Sequence, residues 1–189
     1  MIRLFIIFAF VFPVLANAEH HRGHAFDQLD EAKSKIEYAI TRLDRFLEVY
    51  EPGSAAKPDS KIYSLEGNIR LSLNKALDEI AAAESAINNN DLFSARRYLS
   101  QPKNENPKSA SFHLWSATYT MNGLYGSLAL YDQNGNWSNA RSQMLATLSA
   151  LTHARSAIEW GEWHVVDSIR EEIYLDQDAI CAGPNNHCE

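Results

Sequence analysis

"ARSAIEWGEWHVVDSIR" (154–170) gathers Trp160, Trp163, Glu159, Glu162 and His164 around Gly161, and so reads as an active site, a ligand cage or a tight turn between two helices. The rest of the chain favours the turn. The stretch aligns without a gap on "AESAINNNDLFSARRYL" (83–99), sharing Ala, Ser, Ala and Ile before the joint, and "LYDQNGNWSNARSQM" (130–144) is a third example. Asn90, Gly135 and Gly161 are residue types that accept a left-handed backbone and end helices. Asp91, Asn136 and Glu162 follow where a helix start favours an acceptor or a negative charge. Leu92, Trp137 and Trp163 are then expected to pack across each turn. A turn recipe used three times belongs to the fold rather than to catalysis.

Outward from these joints, apolar residues recur in threes and fours almost everywhere, and strand-like alternation is almost absent. Leu29, Ile36, Ile40, Leu43, Leu47 and Tyr50 form one stripe, stopped by "EPGSAAKPD" (51–59). Leu65, Ile69, Leu73, Ala76, Ile80, Ala83 and Ile87 form a second, and a short helix is predicted over 91–99. "SQPKNENPKSA" (100–110) reads as a linker. Beyond it run stripes from Leu114 to Tyr131, from Ala140 to Ile158 and from Val166 to Ile180. The prediction is an all-α bundle or short stack of five to six antiparallel helices, arranged as hairpins in a single domain over 27–180.

The turn residues resemble those of tetratricopeptide-like helical hairpins, in which a Gly-Asp-Tyr turn with Ala three residues beyond the aromatic joins paired helices. "NGNWSNA" (134–140), with Tyr131 before it, is the nearest match. The resemblance implies stacked antiparallel hairpins. It covers the turns only, because the 34-residue period and the Trp, Leu-Gly and Pro positions of that family are missing.

The first residues, MIRLFIIFAFVFPVLANAEHH, combine Arg3, an apolar run from Leu4 to Leu15 and the small-x-small site Ala16-Asn17-Ala18, which is the pattern of a secretory signal peptide cleaved after Ala18. The run is shorter than the roughly 20 residues of a spanning helix. The expected product is periplasmic or secreted, without a membrane span. With 17 Lys and Arg against 24 Asp and Glu, the net charge of −7 becomes −8 once Arg3 is removed. An acidic chain without a basic stripe is not expected to bind nucleic acid. Cys181 and Cys188 are expected to form a disulfide closing the tail 181–189, as an even cysteine count in an exported protein suggests.

Cleavage after Ala18 would expose the terminus Glu-His-His-Arg-Gly-His, read as a flexible leader over 19–26. The free amine of Glu19, two backbone amides and the His21 imidazole could enclose Cu(II) or Ni(II) in a square plane, with His20 and His24 as added ligands. Other chemistries lack their partners. There are no inward Glu-x-x-His pairs for a di-iron site and no Cys-x-x-Cys-His for haem. Ser-x-x-Lys at 72–75 and 54–57 stands without Ser-Asp-Asn or Lys-Thr-Gly, and no Gly-x-Ser-x-Gly elbow or phosphate loop is present. His153, Glu159, Glu162 and His164 could supply an acid/base pair only if a cleft brought them to one substrate.

Aromatic residues are dense in the second half. Phe112, Trp115 and Tyr119 share one face of their predicted helix, off its Leu/Met stripe, and so are either a second buried side or an aromatic surface awaiting a partner. Gly123 and Gly126 are costly inside a helix and suggest a close approach there. The expected function is therefore that of an exported, non-enzymatic helical protein acting through protein–protein interaction. Copper or nickel handling by the amino-terminal histidines, and an apolar ligand held between helices, are the alternatives.

Overall fold

The computed structural model describes residues 2–50, 59–100, 108–129 and 137–181, with side chains at 18–50, 60–100, 108–128 and 138–174. The described residues form five helices and no strand: α1 (Ile2–Val49), α2 (Asp59–Asn88), α3 (Leu92–Leu99), α4 (Ala110–Ala129) and α5 (Trp137–Cys181). The helices pack on one another around a continuous apolar core, so the predicted all-α bundle holds. No helix among the described residues is long and apolar enough to cross a membrane.

The principal pairing joins the two longest helices, α1 and α5. They run antiparallel: Arg42 meets Gln143, Leu29 meets Gly161, and the Ala18 carbonyl accepts a hydrogen bond from Ser168. α2 lies antiparallel to α1, tied by Lys33 to Glu84 at 2.6 Å and by Arg70 to Asp44 at 2.7 Å. The buried positions explain why. Along α2 they fall at Ile62, Glu66, Ile69, Leu73, Ala76, Ile80, Ala83 and Ile87, alternating steps of four and three. α1 repeats this from Ala25 to Phe46, and α4 from Ala110 to Leu128. An average step of 3.5 residues keeps one seam of each helix facing its neighbour along its whole length.

The reading of Gly161 as a turn is overturned. α5 passes through it without a break, so the two predicted stripes over 140–158 and 166–180 belong to one helix. Gly161 is buried, and a β-carbon placed on it would lie 3.2 Å from Leu29 Cδ2 and 3.6 Å from Gln28 Cβ. Glycine serves here because α1 crosses at close range, and no left-handed conformation is involved. Trp163 accordingly does not plug a hinge; it stands half-exposed on the outside of α5.

The joint at 87–92 does form as predicted. Asn90 takes φ 61°, the Asn90 N–H bonds to the Ile87 carbonyl, and the Asp91 N–H bonds to that of Ala86. These two bonds satisfy carbonyls left open at the end of α2. The Asp91 carboxylate then accepts from the Ser94 N–H at 3.1 Å to start α3, and hydrogen bonding by the Ser94 side chain, followed by that N–H, holds its pKa below the usual range. Gly135 and Asn136 lie outside the described residues, as do the Trp137 side chain, both cysteine side chains with the tail 182–189, and linker residues 101–107. From the end of that linker, Ser109 caps α4 by accepting from the Phe112 N–H.

The segment 19–26, expected to be a flexible leader, is helical instead. It continues α1, with Ala18 and Ala25 buried against the core. Its seam residues keep the four-and-three spacing of the rest of α1, so the core pattern itself extends through the histidines.

Candidate functional site

Because α1 and α5 are antiparallel, the amino-terminal histidines are laid against His164, 143 residues away in sequence. His20, His21 and His24 project from one and a half turns of α1. His21 Nδ1 stands 3.2 Å from His164 Nδ1, and His24 Nε2 stands 3.1 Å from His20 Nε2. The His24 ring stacks on His164 with centroids 5.2 Å apart, and Trp163 meets the edges of both His21 and His164. On the far side of His21, Nε2 lies 3.7 Å from Glu171 Oε1, while Glu171 Oε2 is buried without a hydrogen-bond partner. Arg22 pairs with Glu172 beside them.

Burial, followed by the neighbouring imidazoles of His21 and His24, pushes the His164 pKa below the usual histidine range against the opposing pull of Asp167. The ring nitrogens meet in two close contacts, His21 with His164 and His24 with His20. Among the described residues no group of three His, Cys, Asp or Glu side chains is arranged to hold one metal ion; the rings stand in two pairs. Glu19, at the expected cleavage point, is exposed on the same helix. A square-planar chelate through Glu19, His20 and His21 would require residues 19–21 to unwind, because helical amides do not lie in one plane around an ion.

Of the acid/base candidates near Gly161, the two glutamates turn away from the two histidines. Glu159 pairs with Arg155 on the exposed side, one helical turn away at 3.0 Å, and Glu162 turns to Arg96 of α3 at 3.3 Å. His153 and His164 line a cleft of about 320 Å³ between α1 and α5 with Gln28, Glu31, Ser156, Ala157 and Trp160. That lining is mostly polar, unlike the walls an apolar guest requires. Ser72 and Lys75 sit on α2 as ordinary helix residues, half-buried and exposed respectively, and Ser54 and Lys57 lie outside the described residues.

The second candidate is α4. It contains no charged residue, and its outward face carries Phe112, Trp115 and Tyr119 at 38, 53 and 71 % exposure. The three rings form a ladder, with centroids 5.9 Å and then 5.7 Å apart. Gly123 and Gly126 continue the face, each with open space where a β-carbon would stand. The close approach predicted at these glycines is therefore absent within the described chain, and the aromatics are surface rather than a second buried side. The opposite face buries Leu114, Ala117, Met121 and Leu124.

Comparison with known proteins finds no likeness: no family model, no curated protein and no solved structure matches this chain.

Proposed function

We propose that this is an exported helical binding protein, not an enzyme, acting through protein–protein contact on the outward face of α4. The observation that carries the reading is the exposed ladder Phe112–Trp115–Tyr119 on a helix of 20 residues without a charge. Large aromatics bring high contact area at low entropic cost and are the residue types that dominate interface energetics. The glycines extend the face as a shallow track on which a second helix can approach. The partner that fits presents an apolar, uncharged helical surface, since a charged one would be desolvated here without a counter-charge.

The expected signal peptide supports an envelope location for that partner. The test is recovery of a specific partner from a cell-envelope extract by the wild type and by the pair Trp115→Ala and Tyr119→Ala. Weakened recovery with the pair supports the reading, and equal recovery removes this surface from consideration. Light scattering on the purified protein distinguishes a second copy of the chain from a different partner.

A further inference from the structure

We propose that His21 and His164 hold a divalent late transition-metal ion, Zn(II) or Cu(II), between their Nδ1 atoms, with His24 as third ligand and Glu171 fixing the orientation of His21. The site bridges α1 and α5 and is independent of the α4 face.

Three observations converge on it. The first is the 3.2 Å separation of the two Nδ1 atoms. Two imidazoles on one tetrahedral ion, with metal–nitrogen bonds of about 2.0–2.1 Å, place their nitrogens about 3.3 Å apart. The pair already stands at that bite, and the metal takes the place of the one proton the two nitrogens share, which shifts to Nε2 of the ring that carried it. The second is Glu171. Ligating histidines typically donate their other ring N–H to a carboxylate, which fixes tautomer and orientation. His21 Nε2 faces Glu171 at 3.7 Å, and the other oxygen of that carboxylate is buried without a partner.

The third observation is the supply of further imidazole at the open edge. His24 lies against His164, and its side chain is 45 % exposed, so it can rotate from its contact with His20 onto the ion. That rotation is what turns a paired cluster, in which no three donors now share a centre, into a three-nitrogen site. Imidazole donors suit zinc, copper and nickel, and no thiolate is present among the described side chains of the cluster.

The site differs from the amino-terminal chelate in what it needs. The chelate requires a free amine on Glu19; the interhelical site requires His164. In the full chain Glu19 carries no free amine, so the amino-terminal chelate cannot form there, and the loss caused by His164→Gln separates the interhelical site from binding by the His20–His24 pair. Zn²⁺ and Cu²⁺ are each titrated by calorimetry into the full chain and into the His164→Gln and Glu171→Gln variants, with His153→Ala as a control on the same helix. Circular dichroism verifies the helical content of each variant.

The expected result is one ion bound per chain, with affinity lowered at least tenfold by His164→Gln and roughly tenfold by Glu171→Gln, and unchanged by His153→Ala. For Glu171 the added readout is the tautomer of His21, followed by ¹⁵N chemical shifts, which a merely structural carboxylate would leave in place. No binding to the full chain, or equal affinity in His164→Gln, overturns the proposal. If His164→Gln fails to fold, His24→Ala carries the same test: its exposed ring is dispensable to the fold, and unaltered affinity there refutes the three-histidine site.

Discussion

Gly161 offers the sharpest test of how this bundle is held together. In a helix interior glycine is about 1 kcal/mol less favourable than alanine. Gly161→Ala recovers that amount, but its β-carbon meets Leu29 Cδ2 at 3.2 Å, closer than the roughly 3.5–4.0 Å of an unstrained carbon contact. The end of the Leu29 side chain can yield a few tenths of an ångström, so Gly161→Ala should lie within about 1 kcal/mol of the wild type. Gly161→Leu drives three more carbons into a seam where Leu29 is already fully buried, and should cost about 3 kcal/mol, at the upper end of overpacking penalties. Replacing Leu29 by Ala in that background opens the needed space. Leu29→Ala alone should cost about 2–5 kcal/mol, while the double variant should fall short of the summed single costs by at least about 1 kcal/mol. Urea denaturation followed by circular dichroism gives these differences as shifts in midpoint at constant slope. Were Gly161 a left-handed joint, alanine alone would cost about 1–2 kcal/mol and leucine little more. Equal costs for the alanine and leucine substitutions, or additive costs for Gly161→Leu combined with Leu29→Ala, would refute the crossing.

Three further expectations follow from the same structure. Gly123→Ala and Gly126→Ala meet open space, so each should raise stability by about 0.5–1 kcal/mol in the same denaturation assay. If α4 docks a helical partner, both should also weaken its capture. Arg70 bonds the buried Glu66 through Nε at 2.9 Å and Nη2 at 2.7 Å and also reaches Asp44, so Arg70→Met should cost about 2 kcal/mol by leaving that carboxylate unpaired. The double variant Glu66→Leu with Arg70→Met should recover most of the loss, as thermal unfolding will show. His113 is buried beside Lys75, and burial first, then that ammonium, lower its pKa. As pH falls the unfolded chain is protonated at this position before the folded one. Its contribution is therefore complete above the ordinary histidine value and is lost as pH falls through the lowered folded value. Stability should decline below about pH 6.5, with a slope of at most about 1.4 kcal/mol per pH unit for this one proton, and His113→Gln should flatten that slope.

Much of the fold was legible from spacing. The stripes of α2 and α4 named the buried residues from Ile69 to Ile87 and from Leu114 to Leu128, and the Asn90–Asp91 joint formed with the predicted chemistry. α5 was misread because glycine has two uses, and an alignment of joints favours the wrong one. The corrective signal lay in the sequence: Leu151, Ala154, Ile158, Gly161, Val165 and Ser168 continue the four-and-three alternation straight through the glycine. Small and hydroxylic residues at seam positions hid it from a search for Leu and Ile. The histidines of α1 stood out by density, but nothing local couples them to His164, and Glu171 carried no mark at all. Only the antiparallel register of two distant helices brings those groups together. Periodicity likewise separated Phe112, Trp115 and Tyr119 from the Leu/Met stripe of α4; exposure then depended on where α2 and α5 lie.

The closure of the bundle by its first and last long helices also governs when it can fold. α1 acquires its main neighbour only after α5 has been synthesised, with residues 18 and 168 brought into contact across 150 positions. A helical protein assembled from adjacent hairpins gains its contacts early and cheaply, whereas here the decisive encounter is between α1 and α5, helices far apart in sequence. A fragment lacking α5 therefore leaves the alanine-rich seam of α1 uncovered, and the bundle cannot close before that helix has been made.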